Sequence, residues 1–367
     1  MLFGEKIYFQ YKFPEPQYLG SKFTLLNWIR KHIPSGVKTA LDAFAGSQSV
    51  AYLFKQLGFK TFTNDFLSFS HQIGIGLIEN NKEILTKADV GILLNNHMSV
   101  GEYVLMEKTF SNIFFTKQEA KFLDMFRANV ELLKNQYKKS LALSILNRSL
   151  TRKITMGHFG HSMALAYAKN PLRVKRNPNL ARSIKDIFIG LVPQYNQAIF
   201  DNEQKNQSFN QNILDLLPKL NNVDVVYFDP PYCDSHADYQ NFYHLIETYT
   251  EYWKDKKFVN KIKRYEPLKF SGFDKKKNVL ESFEKLFSYA QDIPFWLISW
   301  NDRSFPSVDN LRDIIKKYKD VYIESKLYVN GRGGRGSVAG SKEILFICKN
   351  KPTFNFYFKK NESAVKV

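Results

Sequence analysis

The stretch VDVVYFDPPY, residues 223–232, joins a strongly apolar run to a turn that two prolines stiffen. A short apolar run that ends at a turn is typical of a strand buried on both faces of a parallel sheet. Proline fixes its own backbone φ and has no N–H to donate, so the strand has to end before Pro230. The stretch therefore predicts a buried strand, Val223–Phe228, that leads Asp229 and Tyr232 into a rigid turn.

Two earlier segments, Thr39–Phe44 and Lys60–Thr63, have the same form and also end at small or polar residues. Between them, apolar residues recur at helical spacing over Ser49–Leu57, and Gly58 ends that helix. This strand–helix–strand order predicts an α/β fold with a doubly wound, mainly parallel sheet. Such sheets bind ligands at the carboxyl ends of their strands.

The second half of the chain continues the pattern. Apolar residues at 280, 283, 286 and 287 predict an amphipathic helix, and Phe295–Ser299 predicts a further strand. Val321–Val329 and Glu343–Lys349 flank the glycine- and arginine-rich segment Asn330–Ser341. They predict an antiparallel hairpin at the sheet edge.

The segment 91–206 differs from the rest of the sequence. It contains long helical patterns, such as Lys117–Tyr137, then a basic, turn-rich run, and no strand pattern. We therefore expect a mainly helical, basic insertion at 91–206 that divides the core into 1–90 and 207–350. Residues 351–367 are expected to form a short C-terminal extension.

Composition limits the class of protein. Lys and Arg number 53 against 35 acidic residues, a formal charge of +18, which favours a polyanionic partner such as nucleic acid; a solvated lysine-rich surface is the alternative. No apolar run is long enough to cross a membrane. Cys233 and Cys348 form no paired motif, which fits a cytoplasmic protein without disulfides. His158 and His161 have no further ligand close by in sequence, so we expect no metal site.

The turn after residue 228 carries the sharpest chemical signal. The exocyclic amine of a nucleobase is a poor nucleophile, because its lone pair is delocalised into the ring. The carboxylate of Asp229 and the backbone carbonyl of Pro230 could each accept one amine hydrogen and free that lone pair, and Pro231 would help to preorganise them. The ring of Tyr232 could stack on an extruded base. A tight turn with a half-buried tyrosine is the structural alternative.

Three other segments are candidates for binding a small molecule. Asp42-Ala43-Phe44-Ala45-Gly46-Ser47 follows a strand, and Gly46 would let the backbone approach a ligand closely. Asp65 ends the next strand, where a carboxylate can hold ribose hydroxyls. Tyr18-Leu19-Gly20-Ser21-Lys22 reads as a turn before a helix. Taken alone, each of these segments is also explained by an ordinary turn, in which a serine caps the next helix or the lysine is solvated.

Along the chain, Gly20-Ser21-Lys22 comes first, then Asp42 to Ser47, the insertion, and Asp229 to Tyr232. In this order, the segments resemble the DNA adenine methyltransferases of the Dam-like α group. The resemblance covers Tyr18 to Lys349 and is weakest inside the insertion. It implies a Rossmann-like methyltransferase core that moves a methyl group from S-adenosyl-L-methionine to the exocyclic amine of a flipped adenine in double-stranded DNA. The family is known mainly from restriction–modification and DNA-marking systems, so a separately encoded restriction endonuclease is an implied partner.

The resemblance also implies roles for individual residues. The catalytic motif would be Asp229, Pro230, Pro231 and Tyr232. The donor would be bound by Tyr18, Gly20, Lys22, Asp42, Phe44, Gly46, Ser47, Asp65, Asn212 and Asp229. Phe295–Asn301 would lie beside the target base. Gln48 replaces the second glycine of the family's donor turn, and we expect it to adopt a helical conformation without strain. Asn212 replaces the usual aspartate.

The basic segments are candidate DNA contacts. Arg173, Lys175 and Arg176 in the insertion, and Arg332 and Arg335 in the glycine-rich segment, could pair with phosphates. Their alternatives are a solvated loop and a flexible hairpin turn. Two other functions stay open from the sequence: methylation of an RNA base amine, and a non-catalytic nucleic-acid-binding module on the same scaffold.

Overall fold

A computed structural model of the chain describes residues 10–97, 103–154, 157–233, 238–327 and 341–351. Its strands are β1 (Thr39–Asp42), β2 (Lys60–Asn64), β3 (Gln207–Phe209), β4 (Val225–Phe228), β5 (Lys257–Val259), β6 (Arg264–Glu266), β7 (Phe295–Asn301), β8 (Lys319–Leu327) and β9 (Lys342–Asn350). All but β5 and β6 belong to one seven-stranded sheet, in the order β3-β2-β1-β4-β7-β9-β8.

The strand directions confirm the predicted fold class. Strands β3, β2, β1, β4 and β7 pair in parallel, and β9 pairs antiparallel with both β7 and β8. The antiparallel pair therefore lies at one edge of a mainly parallel sheet. Strand β3 and the small hairpin β5–β6 were not predicted, because three-residue strands carry too little periodicity to be recognised.

The helices fill the connections between strands. They are α1 (Leu26–Arg30), α2 (Ser49–Gln56), α3 (Ser68–Ile73), α4 (Lys87–Leu94), α5 (Leu105–Phe110), α6 (Lys117–Val130), α7 (Gln136–Arg152), α8 (Ala164–Ala168), α9 (Pro171–Arg176), α10 (Ile184–Asn196), α11 (Ile213–Leu216), α12 (Tyr239–Glu251), α13 (Lys276–Tyr289) and α14 (Val308–Ile315). A π-helix, Gly74–Glu79, continues α3.

The long helical pattern over Lys117–Tyr137 is divided between two helices. Helix α6 begins at a capping box in which Thr116 and Glu119 exchange hydrogen bonds, and it ends at Val130. Helix α7 then begins because the side chain of Asn135 accepts hydrogen bonds from the next backbone amides. Such a cap satisfies amides that a continuing helix would have bonded to its own carbonyls.

The helices of segment 91–206 pack against α3, the π-helix and α12, and its described residues contain no strand. Its apolar side chains form one buried cluster with residues of α2, α3 and α12, including Tyr52 and Tyr243. The hydroxyl of Tyr52 donates a 2.7 Å hydrogen bond to the carbonyl of Ala198. The division into a core, an insertion and an extension stays a prediction. No helix in the described ranges is long and apolar enough to span a bilayer.

The sheet topology brings the predicted site segments together. Asp42, at the end of β1, lies beside Thr63 of β2 on one side and Tyr227 of β4 on the other. The turns that follow these parallel strands therefore meet at one edge of the sheet.

Candidate active site

A cleft with an empty volume of about 970 Å³, part of it open to solvent, lies at the carboxyl ends of β1, β2 and β4. Every residue predicted to bind the donor lines this cleft: Tyr18, Gly20, Lys22, Asp42, Phe44, Gly46, Ser47, Asp65, Asn212 and Asp229. Of the predicted catalytic turn, Pro231 also lines it, and Tyr232 contacts Asp229. The structure thus gathers segments that are almost 200 residues apart in the sequence, because both β1 and β4 end at this edge.

Lys22 and Asp229 form a buried ion pair at the cleft. The Lys22 ammonium donates hydrogen bonds of 2.8 and 2.7 Å to the two carboxylate oxygens of Asp229, and one of 3.1 Å to the carbonyl of Gly20. Gly20 has a positive φ of 78°, and a Cβ there would lie 2.8 Å from the hydroxyl of Tyr239. A glycine is therefore required in the turn that brings Lys22 to the catalytic motif.

Tyr232 and Glu343 complete the polar cluster. The Tyr232 hydroxyl lies 3.1 Å from Oδ1 of Asp229 and 3.0 Å from Oε1 of Glu343. The same Glu343 oxygen is 3.3 Å from the Lys22 ammonium. The Tyr232 ring packs edge-on against Trp300 of β7, with ring centroids 5.0 Å apart.

The sequence reasoning missed Glu343. Its only sequence signal is a charged residue at the start of the apolar run Ile344–Cys348, where it was taken as an ordinary strand end. Burial of a carboxylate there is costly unless it has partners, and its partners come from segments more than 100 residues away.

The charges of this cluster are coupled. Burial raises the pKa of Asp229, and the ammonium of Lys22 opposes that shift. Burial disfavours the ammonium of Lys22, but Asp229 and Glu343 outweigh burial and raise its pKa. Burial raises the pKa of Glu343 to about 7, against the opposing effect of Lys22. One cation thus faces two carboxyl groups, and burial raises the pKa of both.

The turn after β1 is shaped by close packing. Gly46 has a positive φ of 47°, and a Cβ at this position would lie 2.8 Å from the ring of Tyr18. The backbone amide of Gly46 donates a 2.7 Å hydrogen bond to Asp65 Oδ2, and Leu67 N donates one of 2.8 Å to Asp65 Oδ1. Burial raises the pKa of Asp65 to about 6. Asp65 therefore lines the cleft and also fixes the turns around it.

The expectation for Gln48 is wrong. Its backbone is left-handed, with φ 66° and ψ 12°, as a glycine's would be at this position. Such a conformation costs a side-chain-bearing residue about 1–2 kcal/mol. The buried side chain offers compensation, because its amide donates to the Ser70 carbonyl at 3.1 Å and its oxygen accepts from the Thr63 hydroxyl at 2.6 Å. These contacts involve residues far along the chain, so the sequence pattern alone did not reveal them.

Two buried carboxylate oxygens in the cleft wall suit a ligand with hydrogen-bond donors. Asp42 Oδ1 and Asp274 Oδ1 have no hydrogen-bond partner among the described residues. Ammonium, amine and hydroxyl groups of S-adenosylmethionine could satisfy such acceptors. Asn212 also faces the cleft, while its side-chain oxygen caps α11 through Leu214 N at 3.1 Å.

A tyrosine stack borders the cleft and was not predicted. The ring of Tyr18 stacks on Tyr243, at 4.9 Å and 3°, and on Tyr239, at 5.7 Å and 19°. Tyr239 and Tyr243 lie four residues apart on α12, and this spacing was the signal available in the sequence.

The predicted DNA contacts of the insertion do not line the cleft. Arg173, Lys175 and Arg176 are exposed on the short helix α9, where the Arg173 guanidinium lies 3.7 Å from the ring centroid of Tyr167. Arg332 and Arg335 lie outside the described residues. Nor do the described ranges contain a group of three or more His, Cys, Asp or Glu residues placed to hold a metal ion. The expected absence of a metal stays a prediction.

Comparison with known proteins identifies the family. A family model described as D12 class N6 adenine-specific DNA methyltransferase matches residues 18–314. The chain belongs to this family. The D12 class methyltransferase described here is similar to the Type II methyltransferase M2.HphI of Haemophilus parahaemolyticus, with 30% identity over 350 residues that cover 93% of this chain and 99% of that protein.

Two further relatives of this D12 class enzyme are longer. The modification methylase StsI of Streptococcus sanguinis is 28% identical over 95% of this chain and 53% of its own length. The modification methylase LlaI of Lactococcus lactis subsp. lactis is 26% identical over 94% of this chain and 55% of its own length. The chain therefore spans about half the length of these two proteins.

Membership of the D12 class confirms the predicted family and activity, adenine-specific DNA methylation. The family implies S-adenosylmethionine as the methyl donor. An RNA base-amine methyltransferase and a non-catalytic binding module are not favoured. The matched segment includes Lys22, the cleft turns and Asp229, whereas Glu343 lies beyond its end.

Proposed function

We propose that this D12 class methyltransferase transfers a methyl group to the exocyclic amine of an adenine flipped out of double-stranded DNA, with Asp229, Pro230, Pro231 and Tyr232 forming the transfer site. The observation that carries the proposal is the Lys22–Asp229 ion pair, 2.7 Å long, at the wall of a cleft of about 970 Å³. The pair holds a carboxylate acceptor in a fixed orientation beside a space large enough for the donor.

The partners of Asp229 leave room for the adenine amine. Each carboxylate oxygen has two lone pairs. Oδ1 contacts both Lys22 and Tyr232, whereas Oδ2 contacts Lys22 alone among the described residues. Oδ2 is therefore the oxygen with an acceptor site left for an amine hydrogen, and the carbonyl of Pro230 would take the other hydrogen. Both interactions would strengthen the nucleophile at the moment of transfer.

The cleft residues fit S-adenosylmethionine, whose sulfonium would supply an activated methyl group. Gly46 and Phe44 would lie along the donor, and Asp65 would accept its ribose hydroxyls while holding the turn. The unpaired Oδ1 of Asp42 would take a donated hydrogen from the same molecule. Tyr18, Gly20, Lys22, Ser47 and Asn212 would form the rest of the wall. No step in this scheme needs a metal ion.

DNA would be held by basic side chains and by stacking. Tyr232 would stack on the extruded adenine, which offsets part of the few kcal/mol that unstacking costs. Arg173, Lys175 and Arg176 on α9 would contact phosphates, and we propose the same role for Arg332 and Arg335. The excess of basic residues, 53 against 35 acidic residues, supports a polyanionic partner.

The biological setting follows from the relatives. Their names describe them as a Type II methyltransferase and as modification methylases. We propose that the present chain modifies a specific DNA site within a restriction–modification or DNA-marking system, together with a separately encoded endonuclease. A cytoplasmic location is part of the same proposal, and a sequence with only two cysteines, which form no paired motif, is in keeping with it.

Methylation of DNA that lacks prior adenine methylation tests the proposal. The protein is incubated with labelled S-adenosylmethionine and either duplex genomic DNA or folded RNA, and the modified DNA is sequenced with direct detection of modified bases. We expect N6-methyladenine within one short sequence and little label in RNA. Label in RNA alone, or none in either substrate from a protein that binds the donor, would contradict the proposal.

A further inference from the structure

Glu343 is a buried carboxylate in the transfer site that the catalytic turn does not include. It lies near the start of β9, and its side chain is 3% exposed. Its Oε1 contacts two groups, the Tyr232 hydroxyl at 3.0 Å and the Lys22 ammonium at 3.3 Å. A carboxylate is expensive to bury, and its placement against the reacting cluster calls for a chemical reason.

The cluster has one hydrogen atom fewer than its two short oxygen–oxygen contacts at Tyr232 need. The Tyr232 hydroxyl has one hydrogen but lies 3.1 Å from Asp229 and 3.0 Å from Glu343, so it can donate to only one of them at a time. With both carboxylates ionised, one of these short oxygen–oxygen contacts has no hydrogen. The row Asp229–Tyr232–Glu343 can therefore accept one more proton.

Methyl transfer releases one proton at the head of this row. The amine nitrogen forms a bond to the methyl carbon while the carbon–sulfur bond breaks, and that bond's electron pair stays on sulfur. The alkylated nitrogen then carries one hydrogen too many, next to Asp229. We propose that Glu343 is the terminal acceptor of this proton, which reaches it through Asp229 and the Tyr232 hydroxyl.

The transfer balances without a co-reactant. The nitrogen gives a proton to Oδ2 of Asp229, and the neutral carboxyl group turns about its Cβ–Cγ bond to bring that hydrogen to the Tyr232 oxygen, which lies beside Oδ1. Tyr232 then passes its own hydroxyl proton to Glu343. Asp229 and Tyr232 end as they began, and Glu343 ends as the neutral acid. This role rests on the proposed function, because it requires Asp229 to hold the adenine amine.

The charged groups around Glu343 suit a proton acceptor. Lys22, Asp229 and Tyr232 face it from the site, Tyr227 approaches from β4, and Lys326 lies opposite it in the register of β8. Burial raises the pKa of Glu343 to about 7. An acceptor has to be ionised before transfer, so its competent fraction falls as the pH drops below that value.

The test measures single-turnover methylation of unmethylated duplex genomic DNA between pH 5.5 and 9, at saturating donor and with enzyme in excess over sites. We expect the wild-type rate to fall roughly tenfold for each pH unit below about 7. Glu343→Gln keeps the shape of the side chain but cannot take up a proton. It should lower the rate at high pH by roughly 10- to 100-fold and remove the acidic limb of the profile.

Two further variants separate proton transfer from structure. Tyr232→Phe keeps the ring for stacking but removes the hydroxyl, so it should reproduce the flattened profile even if Glu343→Gln fails to fold. Glu324→Gln is the matched control, because this carboxylate lies on β8 against His32 and away from the cleft. It should leave the rate and its pH profile unchanged. Donor affinity, measured by calorimetry, should stay within about twofold of wild type for all three variants.

The outcomes are distinct. A wild-type pH profile in folded Glu343→Gln or in Tyr232→Phe overturns the proton-acceptor role, whether or not the rate falls, because a purely structural role lowers the rate without moving the profile. If Asp229→Asn methylates normally, the proposed function fails as well. If Asp229→Asn is inactive while the profile of Glu343→Gln stays that of wild type, only the role of Glu343 fails.

Discussion

Asp65 accepts a 2.7 Å hydrogen bond from the backbone amide of Gly46, so the acid at the end of β2 fixes the glycine turn at the end of β1. The second oxygen of Asp65 accepts from Leu67 N at 2.8 Å, which shapes the chain beyond β2. One side chain thus sets two walls of the donor cleft. The residue that we propose to hold the donor's ribose thus also organises the backbone of the cleft.

Asp65→Ala should weaken both donor binding and the fold. The change leaves two buried backbone amides without an acceptor, which should lower the free energy of unfolding by about 1–3 kcal/mol. Donor affinity should fall by about tenfold or more, because the glycine turn loses its support. Calorimetry with S-adenosylmethionine and urea unfolding measure the two effects. Asp255→Ala, at an exposed position outside the cleft, is the control. Unchanged donor affinity in a folded Asp65→Ala protein would remove Asp65 from the site.

The protein should be less stable with alanine at position 48 than with glycine there. Both changes remove the hydrogen bonds to Thr63 and Ser70, but only alanine retains the free-energy cost of a left-handed backbone. The difference between the two variants should therefore be about 1 kcal/mol in favour of glycine. Both should be less stable than wild type, because the Thr63 hydroxyl loses its acceptor. Urea unfolding of the three proteins measures this, and equal stability of the two variants would contradict the strain at position 48.

The location of the site could be predicted from the sequence better than the contacts within it, and the reason is physical. The residues that bind or react follow parallel strands, and parallel strands all end at one edge of a sheet, so Asp42, Asp65 and Asp229 could be placed together without coordinates. Glu343 and Gln48 could not be understood in this way. Their roles depend on tertiary hydrogen bonds to Tyr232 and Thr63, which leave no periodic signal.

The same limit applies to the helical segment. Helix α6 ends at Val130, and a new helix, α7, begins at a cap formed by Asn135, a single side chain that a periodicity argument overlooks. Short elements are also hard to predict, and strand β3 has only three residues. Long elements with regular apolar spacing were predicted, and short elements or those ended by one hydrogen bond were not.

Acid should destabilise the fold through buried histidines. Burial lowers the pKa of His244 to about 4, and also that of His158. Between about pH 6.5 and 4 the unfolded chain binds a proton that the folded chain excludes, so stability is intact above this window and is lost as the pH falls through it. For the fully buried His244 the loss should approach about 3 kcal/mol at pH 4. Buried carboxyl groups with raised pKa values, such as Asp65 and Glu343, contribute a slope of the opposite sign in this pH range. The contribution of His244 is therefore the difference between the wild-type and His244→Gln urea-unfolding profiles from pH 7.5 to 4.5, in which the variant should lose less stability towards acid. An equal slope in that variant would exclude His244 as its source.

The basic face of α9 should contribute to DNA affinity through phosphates alone. Replacing Arg173, Lys175 and Arg176 together by alanine should weaken binding to every duplex sequence. It should also reduce the slope of log affinity against log salt by up to about three, since each phosphate contact contributes about 0.9. Binding isotherms at several salt concentrations measure this. The matched control replaces Lys117 and Lys121, exposed on α6, by alanine. A triple variant with the wild-type salt slope would show that α9 is only a solvated surface.

Asp229→Asn should reduce turnover far more than it reduces donor binding. Asparagine keeps the size of the side chain, but its amide nitrogen offers a donor where Lys22 and the adenine amine both need an acceptor. Loss of one preorganised acceptor should cost roughly 100- to 1,000-fold in the single-turnover rate, about 3–4 kcal/mol. Tyr232→Ala should lose about 1–3 kcal/mol of stacking on the flipped base. The rate is measured on DNA containing the identified site, with folding and donor affinity followed in parallel. Glu324→Gln provides the control for carboxylate removal outside the cleft. A folded Asp229→Asn protein that methylates adenine at near the wild-type rate would show that Asp229 does not serve the transfer step.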